Sequence, residues 1–215
     1  MKTIPTRLKL AAAAALLAFT PAAAFAGMKE DVKAINDGWA HIAYEVKGSS
    51  TQTKALDKLA AQAAALVARY PGKAEPLLWQ GIVTSEQANR ANMFHQLGLA
   101  KEARDILVKA YAIDPRVAAG GAAMSLGVLY YKVPGSPIGF GDDAKAKKLL
   151  KEALALDPQG MDANYFYADF LHDQGDDASA KLFAEKALRA AHDPARPAWD
   201  AGRRREIQAL LAKLR

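Results

Sequence analysis

The chain of 215 residues contains no cysteine. Disulfide staples, thiol nucleophiles and an acylated cysteine anchor are thereby excluded. The four histidines, His41, His95, His172 and His192, stand far apart with no i,i+4 pair, so no metal-ligand spacing is present. No G-x-S-x-G elbow occurs, and nothing in the spacing brings a serine to a histidine. After the N-terminal segment no apolar run approaches the roughly 20 residues that a membrane helix needs. The excess of positive over negative charge is also small. The formal net charge of +6 falls to +3 without Lys2, Arg7 and Lys9, too little for a nucleic-acid footprint. The expectation is a protein without catalysis, cofactor, metal, nucleic-acid partner or stable membrane anchor.

Those three basic residues open a recognisable pattern. They lead into an apolar stretch from Leu10 to Phe19, and Ala24-Phe25-Ala26 supplies an A-x-A cleavage site. Such an order marks a secretory signal, residues 1–26, cut after Ala26. It predicts a periplasmic or secreted protein whose mature part, 27–215, forms a single domain with a core of its own.

Internal similarity sets the architecture. ILVKAYAIDP (106–115), LLKEALALDP (149–158) and FAEKALRAAHDP (183–194) each look like the back half of an amphipathic helix stopped by Asp-Pro. Ala110 and Ala153 lie 43 residues apart, and Ala153 and Ala187 lie 34 apart. A fainter copy, AAALVARYPGK, ends at Pro71 and its glycine. Repeat-like units are expected over about 28–71, 74–115, 117–158 and 161–194, with a basic capping helix over about 198–214.

The last unit, ANYFYADFLHDQGDDASAKLFAEKALRAA, has small residues at Ala168, Ala180 and Ala187 and bulky ones at Tyr167 and Leu171. Gly127 with Ala146, and Gly81 with Ala103, repeat the small positions in the units before it. This pattern resembles the tetratricopeptide (TPR) repeat, although Asn164 stands where tryptophan is common. The resemblance implies an all-α fold, an array of antiparallel helix pairs with about nine helices, whose A helices line a concave face. The unit 74–115 is long and lacks proline from Gly81 to Ala103. Its A helix is therefore expected to run on, carrying Asn89, Arg90, Asn92 and His95 as a polar wall.

One stretch invites a different reading. GFGDDA (139–144) matches G-x-G-x-x-A, a dinucleotide fingerprint. That motif needs a preceding buried strand, whereas AAMSLGVLYYKV is helical in period. Asp142 and Asp143 would also repel a phosphate from the amides they cap. VPGSPIGFGDD is better taken as an enlarged turn within a repeat, with Pro134-Gly135 at its bend, Asp142 or Asp143 as N-cap, and Ile138 and Phe140 left to be accounted for.

On the concave side, Asp162, Tyr165, Asp169 and His172 share one face of the last A helix, and Met124, Val128 and Tyr131 the equivalent face before it. This predicts an aromatic, mildly acidic groove. The candidate binding residues are Trp79, Tyr131, Tyr165, Asp169 and His172, joined by loop residues Pro134, Gly135, Ser136, Ile138 and Phe140. Pro134, Gly135, Ser136, Gly139 and Gly141, followed by Lys147, Leu150, Ala153 and Leu154, resemble the T component associated with TRAP transporters. That resemblance implies a ligand-accessible cavity and service to a periplasmic solute-binding protein. Two functions are therefore expected: a scaffold that binds a protein partner through its concave face, or a small-ligand-binding accessory of solute transport. An enclosed cavity near Phe140, Trp79 and Tyr131, suited to a small apolar ligand, would favour the second.

Overall fold

The structure, a computed structural model, describes residues 21–214, with side chains from residue 27. The leader expected over 1–26 lies outside the described side chains. Among the described residues the chain forms nine α-helices and no strand. They are α1 (Pro21–Tyr44), α2 (Ser49–Arg69), α3 (Ala74–Arg90), α4 (Met93–Ile113), α5 (Gly121–Lys132), α6 (Asp143–Leu156), α7 (Met161–Asp173), α8 (Asp177–Leu188) and α9 (Pro197–Lys213). A single 3-10 turn, Val117–Ala119, leads into α5.

Successive helices pair, α1 with α2, α3 with α4, α5 with α6 and α7 with α8. Short connections make such neighbours antiparallel. The small residues set how close they come. A Cβ added to Gly81 of α3 would lie 2.5 Å from Leu107 Cγ of α4, and one on Gly127 of α5 would lie 2.7 Å from Leu150 Cγ of α6. Ala103, Ala146, Ala168, Ala180 and Ala187 are wholly inaccessible to solvent. Asn164 is buried too, and its amide donates to the carbonyls of Pro158 (3.1 Å) and Gly160 (2.8 Å), tying α7 to the turn before it.

Two local expectations need correction. The third Asp-Pro does not stop its helix, since α8 ends at Leu188. Arg204 of α9 instead donates to the carbonyls of Leu188 (2.8 Å) and Ala190 (2.7 Å), satisfying groups that a helix end leaves open. The extra length of unit 74–115 is not a single overrunning A helix either. The chain turns after Arg90, and Asn92 caps α4, accepting from the amides of Phe94 (3.2 Å) and His95 (3.3 Å). An asparagine side chain at that point offers a better start for a new helix than a continuation of the old one.

The last helix does more than cap. It packs on α8 and also on α1, bringing the two ends of the array together. Gly202 of α9 lies against the Tyr44 ring of α1, where a Cβ would come within 2.2 Å of ring carbon. Replacing Gly81 with alanine should lower stability by about 1–3 kcal/mol, because Leu107 has no space into which to retreat. Gly98 of α4 has open space around it, so Gly98→Ala should add about 0.5–1 kcal/mol through helix propensity alone. Thermal unfolding followed by circular dichroism would register opposite shifts of a few degrees.

Candidate ligand cavity

Closing the array turns its concave face into a partly open cavity of about 1040 Å³. Helices α1, α3, α4, α5, α7 and α9 all contribute to its wall. One part is apolar. Trp39 and Trp79 stand 6.2 Å apart between ring centroids, and Ile82, Met124, Val128 and Phe166 continue that surface. The spacing of Met124 and Val128 on α5, and of Asp162, Tyr165 and Asp169 on α7, puts each set on one helix face.

The opposite part is charged and closely paired. Arg203 of α9 is 5 % exposed, and its Nε donates to Asp162 Oδ1 at 2.7 Å. Its Nη1 bonds Glu206, which also accepts from the Tyr44 hydroxyl at 3.2 Å. The guanidinium lies 4.5 Å from the Phe166 ring centroid and 4.8 Å from that of Tyr165. Burial opposes the charge on Arg203, but Asp162, Tyr44 and Glu206 outweigh it and hold the pKa above the usual arginine value. Farther along, Lys132 binds Asp169 at 2.8 Å, and the Tyr131 hydroxyl donates to the same carboxylate at 2.6 Å. Arg90 pairs with Glu86 at 2.8 Å, and burial pushes the Glu86 carboxyl above its ordinary range despite that partner.

Of the residues singled out from sequence, Trp79, Pro134, Ile138, Tyr165 and Asp169 line the cavity, as do Asn89, Arg90, Met124 and Val128. Tyr131 is buried behind the wall and reaches it through Asp169 and Lys132. His172 sits at the turn between the two helices of its own repeat, with Nδ1 2.6 Å from Asp177 Oδ1. Gly135 and Ser136 are exposed outside the lining. Phe140 packs edge-on against Tyr130 (5.7 Å) beneath the Arg104 guanidinium (4.5 Å), so it anchors the loop to its own and the preceding repeat.

The loop itself is a compact knot. Gly139 N–H donates to Gly135 O (3.0 Å), Gly141 N–H to Pro134 O (2.9 Å) and Asp142 N–H to Tyr130 O (2.8 Å). Asp142 then caps α6, accepting from Lys145 N–H at 2.9 Å. Glycine is required twice, because a Cβ on Gly141 would sit 2.0 Å from Val133 O and one on Gly139 2.3 Å from Pro134 O. No phosphate cradle is left in such a turn. Ile138, 70 % exposed, remains at the cavity rim with Met93, 78 % exposed.

Sequence reasoning missed Trp39, Tyr44, Glu86, Arg196, Arg203, Arg205 and Glu206, most of them on the two terminal helices. The groove is accordingly not mildly acidic. Its four carboxylates, Glu86, Asp162, Asp169 and Glu206, face five cations, Arg90, Lys132, Arg196, Arg203 and Arg205. Arg203→Met should cost about 2–3 kcal/mol, below the 3–5 of a fully buried pair because Asp162 and Glu206 keep some water. Adding Asp162→Asn should return part of that loss in chemical denaturation.

The phenols supply a second check. Burial, reinforced by Glu206, pushes Tyr165 up to about 12, and burial likewise raises Tyr44 and Tyr131. A raised pKa stabilises the folded state below the usual value near 10, and the contribution disappears as pH climbs from there through 12. Phenolate absorbance should show Tyr165 ionising late, and denaturant midpoints should fall across the same interval. Tyr165→Phe should remove one late step from the titration.

No family model matches the chain, and no curated protein does. Among solved structures the chain is similar to the thermophilic TPR protein TTC0263 of Thermus thermophilus, with a TM-score of 0.57 and 18% sequence identity. The likeness covers 89% of this chain and 92% of that one. Helix pairing, close approach at small residues and overall superposition therefore agree: the chain has the fold of a tetratricopeptide-repeat array.

Proposed function

We propose that this is an exported, non-catalytic helical-repeat protein that holds a compact molecule in the cavity on its concave face. The observation that supports this reading most directly is the contact between α1 and α9. An open TPR-type groove accepts a partner's helix or an extended peptide along its whole length. Here the ends meet, and the space left is of the size that takes a small molecule or a short peptide segment. Catalysis is not proposed, because the carboxylates of the wall are each committed to an ion pair and none is left as a free base. The leader pattern and the likeness of the inserted loop to the TRAP-associated T component favour service to a periplasmic solute-binding protein.

Partner binding is the second reading, and a different surface favours it. Phe94 is 87 % exposed beside Met93, and Ile138 lies on the same rim. An apolar rim of this sort suits a protein that delivers or receives the cavity's occupant. The two readings describe two surfaces of one device.

Trp39 and Trp79 make the cavity self-reporting, since an occupant would alter their emission. An uncharged apolar dye such as Nile red should bind with a blue-shifted emission. Val128→Trp, which fills the space, should weaken uptake by about tenfold or more while the melting temperature changes little. Unchanged uptake would place the dye elsewhere and sink the cavity reading. Phe94→Asp, a change outside the cavity lining, should leave dye uptake intact and weaken crosslinking to a partner protein.

A further inference from the structure

The cavity's charges do not balance locally. Arg90 takes up Glu86, Lys132 takes up Asp169, and Arg203 takes up both Asp162 and Glu206. All four lining carboxylates are then used. Arg196, at the N-terminal end of α9, has no carboxylate within ion-pair distance among the described residues. Only its Nη2 has a hydrogen-bond partner, Asn36 Oδ1 of α1 at 3.0 Å. Its Nε is buried with no partner at all. Burial pushes this guanidinium below the usual arginine value, and Asp162, Asp193 and Asp37 offset that only from longer range.

A second unpaired donor belongs to the same cavity wall. Trp39 Nε1 is also buried without a partner, and Trp39 sits one turn along α1 from Asn36, on the same face. Trp39 and Arg196 both line the cavity. Both unsatisfied groups are donors. An unpaired buried donor is costly, and a half-buried cation without a counter-charge is costlier. A neutral acceptor would answer the tryptophan but leave the charge exposed to a low-dielectric wall, and a cation would worsen it. The fork is also held still, because the Arg196 guanidinium stacks 4.0 Å above the Trp199 ring. A planar, fixed guanidinium is the group best fitted to an oxyanion. Exposed Arg205, farther along the same wall, adds positive potential at the mouth.

We infer that the cavity's occupant is an amphipathic anion, its acid group at Arg196 and Trp39 and its apolar body along Trp79, Ile82, Met124 and Val128. The inference rests on the reading of the cavity as a small-molecule site, and it adds the chemical class of that molecule.

Calorimetric titration of the full chain with decanoate, decan-1-ol and decylamine separates the two ideas, since the three share one apolar tail. Decanoate should bind about 10–100-fold more tightly than the alcohol, the range a hydrogen-bonded charge pair supplies. Arg196→Gln should reduce decanoate to the alcohol's affinity and leave the alcohol unchanged. Trp39→Phe, which removes the N–H together with part of the apolar ring, should weaken both ligands but narrow the ratio of decanoate to alcohol affinity, and serves if the arginine variant does not fold. Equal affinity for acid and alcohol, tighter binding of the amine, or a decanoate preference that survives both substitutions would overturn the anion while leaving the cavity reading in place. Failure of all three ligands together with failure of Nile red uptake would overturn both.

Discussion

Everything distinctive about this array depends on one contact, the Tyr44 ring of α1 lying on Gly202 of α9. A side chain of any size at position 202 would hold the helices apart, and the two ends of the superhelix would separate. Apart, the A helices would present an ordinary open groove. Together, they enclose a bowl whose wall includes residues from both termini. Trp39 shows the coupling well. It packs with Trp79 toward one hydrophobic cluster and with Tyr44 toward another, so α1 joins the first repeats to the last helix.

Closure carries an electrostatic requirement. Bringing α9 inward removes Arg203 from water, and a buried guanidinium is tolerable only if its donors are met in good geometry. Asp162 on the neighbouring A helix and Glu206 one turn along accept from it, and the Tyr44 hydroxyl donates to Glu206 in turn. The Tyr165 and Phe166 faces cover the remaining surface of the cation. A lysine would present a point charge where a planar fork meets two carboxylates, so the substitution is not conservative. The same low-polarity surroundings keep the adjoining phenols neutral. Tyr44 and Tyr165 act as hydrogen-bonding walls rather than as acids.

The helical array was legible because its signals are local. Gly81, Gly127 and Ala168 announced close helix contacts, and each is buried at such a contact. The Asp-Pro endings located two helix stops, but the third was overridden by Arg204, a tertiary partner invisible in the repeat itself. Half the site followed from helical spacing: Tyr165 and Asp169 face the cavity because Tyr167 and Leu171 face the core. The other half belongs to α1 and α9, 160 residues apart at Asn36 and Arg196. Nothing in a repeat pattern says that the two ends of an array meet. The groove's charge was misjudged for that reason, since Asp162 and Asp169 were visible and the cations paired with them, Arg203 and Lys132, were not placed.

The glycine-rich loop makes the same point from the other direction. Its spacing imitates a dinucleotide fingerprint, yet the glycines serve to let Val133, Pro134 and Gly141 pass within backbone contact. Two of the amides that a phosphate would need are already donating, Asp142 N–H to Tyr130 and Lys145 N–H to Asp142. Phe140 is pinned between Tyr130 and Arg104, which fixes the loop's base and leaves Ile138 as the one large apolar side chain of the turn exposed. An insertion that is knotted at its base and apolar at its tip has a rigid, positioned edge. It stands over a cavity whose unmatched donors lie on α1 and at the start of α9, so the rim and the proposed acid-binding corner are built by different parts of the chain. The loop therefore borders the cavity at its rim, and the contact of α1 with α9 completes its wall.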